Sequence, residues 1–203
     1  MNRRLITASL LLLWLSGCTV WHATTPPDYS QGDGSPDLQL QQKLRNAKHW
    51  ALEGKLAIRT VDESHSARIQ WQQQDTGFDI HLSGPAGLKS THIYGIPGGV
   101  VFEQGGHTER AGTAEALSQK LIGWPLPAEQ LSDWILGLPS HLNTIERARY
   151  TPEGLLAELQ QNGWHIVFSQ YTRYGEWDLP GRIEARRDDL LIILLAKRWE
   201  ISP

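Results

Sequence analysis

Apolar and polar residues alternate with a period of two along most of this chain, and the departures from that period fall at its start and in its middle. Trp50, Leu52, Leu56 and Ile58 alternate with Glu53, Lys55 and Arg59. Ala67, Ile69 and Trp71 alternate with Arg68, Gln70 and Gln72, and Phe78, Ile80 and Leu82 with Asp79 and His81. Successive side chains on a strand point to opposite faces, so each run predicts a strand with one apolar and one wet face. Asp62-Glu63-Ser64 and Asp75-Thr76-Gly77 separate the runs as turns, which makes the strands a consecutive antiparallel meander. The pattern continues through Thr91 to Ile96, a Pro97-Gly98-Gly99 turn, Val100 to Gln104, and a Gly105-Gly106 turn into a short strand around Thr108.

Helical spacing replaces this alternation in three places. Leu38, Leu40, Leu44 and Ala47, set among Gln, Lys and Arg, predict a helix ahead of the sheet. Ala114, Leu117, Leu121 and Ile122 predict a second, with Thr113 as its N-cap. Leu131, Trp134, Ile135 and Leu138 predict a third that begins near Pro127. After Pro152 the period of two returns in Leu155 to Gln160, Trp164 to Tyr171, Ile183 to Arg187 and Leu190 to Glu200. Within the last of these, Leu190 to Leu195 is apolar on both faces, so its outer side must be covered to avoid edge pairing and aggregation.

The expected fold is mainly β (α+β), an antiparallel sheet of about ten strands. It should curl into an incomplete barrel with helices covering its open side. Such an apolar interior is compatible with a solid core or with an enclosed ligand cavity. Composition bears on this choice, because the chain has nine Trp against three Phe. Indole is bulky and stiff and carries an N–H that needs a partner, so Trp50, Trp71, Trp124, Trp134, Trp164, Trp177 and Trp199 suit an irregular or partly wet interior better than a solid one.

The amino terminus carries a different signal. Arg3 and Arg4 precede an apolar stretch, Leu5 to Leu15, that is too short for a membrane span, and Leu15-Ser16-Gly17-Cys18 closes it. Residues 1–17 read as a secretory signal peptide. Cys18 is the only cysteine, so no internal disulfide exists. The run resembles a bacterial lipobox, which implies an S-diacylglycerol and an N-acyl group on Cys18 and no other cofactor. Several acyl chains on one residue anchor a protein firmly without a span. Thr19, where an aspartate would commonly retain a lipoprotein in the inner membrane, implies the periplasmic face of the outer membrane. Residues 18–37 are rich in Thr, Pro, Gly, Asp and Ser without periodicity and read as a flexible tether, leaving 38–203 as a single domain. Asp28, Asp33 and Asp37 miss the spacing of a calcium loop.

Charge and motifs exclude several functions. Loss of Arg3 and Arg4 takes the formal charge from −3 to about −5, which argues against a nucleic-acid partner. There is no Gly-x-Ser-x-Gly elbow, His-Glu-x-x-His or phosphate loop, so no enzyme is expected. The eight histidines are dispersed. His81 and His92 are placed to meet across a strand pair, but two ligands without a third do not make a metal site, and none is expected. Leu82-Ser83-Gly84-Pro85-Ala86-Gly87-Leu88 joins two strands with apolar residues where a hairpin tip is usually polar. It reads equally as a functional protrusion and as a turn whose Leu88 folds back onto the sheet.

The lipobox and linker, Trp50-x-x-x-Gly54-Lys55-Leu56-Ala57-Ile58-Arg59, Ala67-x-x-x-Trp71, Gly84-Pro85-Ala86-Gly87, Gly123-x-Pro125-Leu126-Pro127, Leu131-x-x-Trp134-Ile135-Leu136-Gly137-Leu138-Pro139 and Gln161-Asn162-Gly163-Trp164 together resemble the outer-membrane lipoprotein LolB family. The likeness spans the signal peptide and nearly all of the mature chain. It implies an incomplete barrel closed by helices, a cavity for acyl chains, and a monomeric receptor. Such a receptor takes acylated lipoproteins from the soluble periplasmic carrier LolA and inserts them among the lipids of the outer membrane. On that reading, Trp50, Leu52, Leu56, Ile69, Trp71, Ile80, Leu82, Trp134 and Trp164 are the expected cavity residues. Pro85, Ala86, Gly87 and Leu88 match the family turn that presents an apolar residue, typically leucine, to the bilayer. Ala86 stands at that position, and Leu88 lies two residues beyond it. A static structural lipoprotein with a solid core and a tethered hydrolase are the alternatives.

Overall fold

The computed structural model describes residues 34–84, 90–122 and 127–202. Residues 1–17, read above as a signal peptide, Cys18, Trp124 and Pro85, Ala86, Gly87 and Leu88 lie outside the described residues. The elements run α1 (Leu38–Asn46), β1 (His49–Arg59), β2 (Ser64–Gln74), β3 (Gly77–Ser83), β4 (Thr91–Ile96), β5 (Gly99–Gln104) and β6 (His107–Ala111), followed by α2 (Ala114–Ile122) and α3 (Ala128–Trp134). The chain then forms β7 (Ile145–Tyr150), β8 (Leu156–Gln161), β9 (Trp164–Ser169), β10 (Thr172–Tyr174), β11 (Trp177–Leu179), β12 (Arg182–Arg187) and β13 (Leu190–Ser202). Eleven strands make one antiparallel sheet in the order β6-β5-β4-β3-β2-β1-β13-β12-β9-β8-β7, and β10 and β11 form a separate hairpin. The edge strands β6 and β7 do not pair with each other, so the barrel is incomplete. The segment that joins these two edges contains α2 and α3. No helix among the described residues is long and apolar enough to cross a membrane.

Local chemistry explains the elements. Asp37 caps α1, its Oδ1 accepting from the backbone N–H groups of Gln39 and Leu40 at 3.0 Å each. Thr113 caps α2 through Ala116 N–H at 3.1 Å, as its position predicts. Asn162 and Gly163, at φ of 52° and 72°, make the tight turn between β8 and β9. Gly54 sits at the irregularity where β1 changes register against β13, and a Cβ there would collide with the Leu195 carbonyl oxygen.

Three expectations need correction. The tether boundary at residue 37 is late, because Gly34 bridges Tyr150 and Asp37 N–H donates to the Gly154 carbonyl at 3.1 Å. The strand expected over Trp164 to Tyr171 stops at Ser169, where Gln170 takes a φ of 56° and the chain turns into the β10–β11 hairpin. Strand β7 is additional: Ile145-Glu146-Arg147-Ala148-Arg149-Tyr150 pairs with β8 through two register irregularities, which erase a regular alternation.

Strand β13 lies inside the sheet, between β1 and β12. Leu190, Ile192 and Leu194 face the core, while Ile193 on the opposite face is still only 9% exposed. Its cross-strand neighbours are Ala57 and Glu184, and Leu191 and Leu195 lie opposite Arg186, Lys55 and Arg182. Long aliphatic stems with their charges outward cover apolar surface of this kind, which answers the cover that the double-sided apolar run demands.

Candidate functional site

Along β1 and β2 the inward residues pass from a large indole at one end to smaller aliphatic groups at the other, and the interior passes with them from solid to hollow. At the start of β1, Trp50 packs on Trp71 and Trp199 with ring centroids 5.7 Å apart in both cases, and Trp71 lies 6.4 Å from Phe78. Further along the same strand, Leu56 and Ile58 line a partly enclosed cavity of about 510 Å³. Ala67 of β2, Ile80 and Leu82 of β3, Ile93 of β4 and Phe102 of β5 complete the sheet side, and Ala114, Leu117 and Leu121 of α2 with Ala128 close the helical side. That volume is within the ~300–1,000 Å³ of sites that bury small ligands.

Most of the polar groups in the lining are paired with one another. Gln104 Nε2 donates to Thr91 Oγ1 at 2.7 Å, and the single lining carboxylate, Glu63, lies 2.8 Å from His65 Nε2. An apolar chain entering this space meets no isolated charge, whose burial would oppose it. Gly84, the residue from which the Pro85-Ala86-Gly87-Leu88 turn departs, is part of the wall.

The other half of the molecule is filled. Trp134 and Trp164 meet edge to face at 5.8 Å, and both are essentially fully buried among Ile135, Leu138, Leu159, Ile166 and Phe168. Arg187 lies 4.6 Å over the Trp164 ring. Gln161, wholly buried, holds the segment after α3 against the sheet. Its Oε1 accepts from Trp134 Nε1 at 3.2 Å and Ser140 N at 2.9 Å, and its Nε2 donates to the carbonyls of Ser140 at 2.8 Å and Asn143 at 2.7 Å. Helix α1 belongs to this half, with Arg45 donating to the Pro139 carbonyl at 3.0 Å.

Of the nine expected cavity residues, Leu56, Ile80 and Leu82 line the hollow. Trp50, Leu52, Ile69, Trp71, Trp134 and Trp164 are instead in the packed core. The indoles therefore mark the solid part of this interior. Sequence reasoning missed Ile58, Ala67, Ile93, Phe102, Leu117 and Leu121. Their common signal is a modest inward side chain on a strand toward the β1–β2 and β3–β4 turns, or on the apolar stripe of α2.

Helix α2 forms the helical wall of the hollow. A small cluster of Val100, Ala114, Leu117 and Ala128 holds it, with Lys120 paired to Glu109 on β6 at 2.8 Å and Glu115 to Arg187 on β12 at 3.6 Å. The Lys120 pair is exposed, and exposed pairs contribute about 0–1 kcal/mol. The helix thus reaches from one edge of the sheet toward its far wing, held by this small cluster, by Phe78, Ile93, Phe102, Ala111 and Leu121 packed around it, and by these ion pairs.

The model of the family described as "Outer membrane lipoprotein LolB" matches residues 48–199. An outer-membrane lipoprotein LolB from Cellvibrio japonicus is 40% identical, with 97% of this chain and 96% of that protein covered. Another, from Chromohalobacter salexigens, is 33% identical over 95% of this chain and 88% of that protein. Among solved structures, a LolA superfamily protein from Nitrosomonas europaea is similar at a TM-score of 0.53 and 8% identity, covering 81% of this chain and 94% of that one. That likeness shows a shared fold. With a family match running from the start of β1 almost to the end of β13, and relatives alike over nearly their whole length, this chain belongs to the outer-membrane lipoprotein LolB family.

Proposed function

We propose that the cavity between the β1–β5 wall and α2 receives the acyl chains of lipoprotein cargo during their passage from carrier to bilayer. As a LolB-family member the protein is an outer-membrane lipoprotein receptor that faces the periplasm, accepts lipoproteins from LolA and performs no catalysis. The observation that supports the acyl site is the hollow itself, apolar, open on one side and walled in part by Gly84. Leu56, Ile80 and Leu82 with Ile93, Leu117 and Leu121 form its acyl-binding surface, and the Pro85-Ala86-Gly87-Leu88 turn enters the membrane beside it. Cys18 carries the lipid anchor, residues before Gly34 act as a tether, and the receptor works as a monomer.

Burial supplies the mechanism. Exposing a long acyl chain to water costs about 10 kcal/mol at ~0.8 kcal/mol per CH₂, so the chains must slide from one apolar cavity to the next without leaving apolar surroundings. Each ~1.4 kcal/mol by which this cavity binds better than the carrier's biases the handover tenfold. The bilayer, a larger apolar reservoir, takes the cargo last.

The test uses the chain without its signal peptide and with Cys18 replaced, mixed with an acylated lipoprotein preloaded on purified LolA. Pull-down then reports which protein holds the cargo. Transfer to this chain is expected, since the cavity and not the anchor binds. Retention on LolA by a folded receptor would favour the static-lipoprotein alternative.

A further inference from the structure

On the outer face of the sheet, opposite the cavity, β3 and β4 bring three metal-ligating side chains together. His81 and His92 are direct cross-strand partners, with rings stacked at 4.1 Å between centroids and 8° between planes. Asp79 precedes His81 by two residues and therefore shares its face. Its Oδ1 lies 2.9 Å from His81 Nε2 and its Oδ2 2.9 Å from His92 Nε2. One potential ligand atom from each of the three residues lies within 4.8 Å of the others. The sequence reading stopped at two histidines, and the period of two in β3 supplies the third ligand.

We propose that Asp79, His81 and His92 form a binding site for a divalent transition-metal ion, with Zn²⁺ as the expected occupant. Imidazole and carboxylate ligands suit Zn²⁺, and three protein ligands with an open position are a common zinc arrangement. The side chains are 42%, 51% and 27% exposed for Asp79, His81 and His92, so water completes the shell.

The surroundings of His92 suit an ion at its Nε2. Its Nε2 faces Asp79 Oδ2 at 2.9 Å, and its Nδ1 faces Glu103 Oε2 at 3.6 Å. Only the Nε2 contact is a hydrogen bond, and at 3.6 Å the Glu103 carboxylate stands close enough to accept from Nδ1 after a small shift. With a metal ion at Nε2, that nitrogen gives its lone pair to the ion while Nδ1–H turns to Glu103. The result is a carboxylate-histidine-metal arrangement of the kind that orients ligands in known sites. Tyr94 donates to the other Glu103 oxygen at 3.1 Å and fixes the carboxylate. Metal–ligand bonds of ~2.0–2.1 Å require the ligand atoms to sit about 3.4 Å apart, so the stacked rings must rotate apart to aim both lone pairs at one ion. The consequence is structural. His81 and His92 lie one register step from Leu82 and Thr91, the last pair before the segment carrying Pro85, Ala86, Gly87 and Leu88. An ion there would clamp the root of that hairpin.

The experiment titrates Zn²⁺ into the full lipidated chain in detergent after chelator treatment, by calorimetry and by competition with a chromogenic chelator. One equivalent should bind saturably. H81Q, H92Q and D79N should each weaken binding at least tenfold, and E103Q by about 10–100-fold as an outer-shell partner. H165Q, which alters the His165–Glu158 pair at 2.7 Å on another strand, should leave it unchanged. Circular dichroism should be the same for all five variants, and the imidazole resonances of His81 and His92 should shift with the metal. Absence of saturable binding would overturn the site. Binding that survives H81Q and H92Q, or that falls equally in H165Q, would also overturn it.

Discussion

Gly54 and Gln161 show how single residues in recognisable motifs act through backbone geometry. At Gly54 the obstacle is the Leu195 carbonyl across the β1–β13 irregularity, a backbone atom that cannot rotate aside. G54A should therefore lose about 2 kcal/mol or more of stability, read as a lower urea midpoint at unchanged m-value. A variant as stable as the parent would mean that the bulge relaxes freely. Gln161 is surrounded on both its amide atoms, with two acceptors facing its nitrogen. In Q161E a carboxylate oxygen would face the carbonyls of Ser140 and Asn143 in a buried site. We expect a loss of about 3 kcal/mol, on the order of 10 °C in Tm. A neutral outcome in a melting curve would show that the Ser140–Asn143 segment is not held there. Neither role is visible from composition. The glycine and the glutamine can be picked out of the sequence, but the atoms they must avoid or satisfy come from strands and loops distant along the chain.

At the scale of elements, the meander was legible because a sheet with one wet face writes its burial into every second residue. The capped helices were legible because Thr113 and the apolar stripes are local signals. Strand β7 was not, since its register irregularities break the period, and Gly34 to Asp37 were not, because their docking rests on a backbone bridge to Tyr150 and a backbone bond to Gly154 that polar composition does not announce. Helix α2 is the element whose stability should depart furthest from the sheet's. Its small apolar cluster and exposed Lys120–Glu109 pair predict that its amides exchange with deuterium well before those of β1, β13 and β12, and that bound acyl cargo slows them. Equal protection of α2 and the central strands would show the cavity to be permanently closed by a rigid wall. The turn that begins after Gly84 carries a separate expectation. L88E should leave cargo uptake from LolA intact and block its insertion into liposomes, because a charge at the bilayer centre is costly. Normal insertion by that variant would remove Leu88 from the membrane step.

The whole molecule divides its interior between two tasks, and the two can be separated by experiment. Trp134 sits fully buried in the filled half, so W134A should cost about 3–5 kcal/mol through lost contacts and a new void. Its remaining folded fraction should still take cargo, because Trp134 is absent from the cavity wall. Ile93 lies in the wall of the hollow, where space of about 510 Å³ is open to a larger side chain. I93W should therefore fold with stability equal to or above that of the parent, as cavity-filling substitutions commonly do, while losing acyl uptake by tenfold or more. The abundance of tryptophan suggested from the sequence that the interior was irregular. It did not tell that the irregularity lies where the tryptophans end, since which inward positions meet a facing helix and which meet empty space depends on how far α2 stands from the sheet. Thermal melts and LolA transfer assays on the two variants read stability and uptake separately. If W134A abolished uptake at a temperature where it remains folded, or I93W left uptake intact, the cargo would be held by the solid half and the assignment of the hollow would fail.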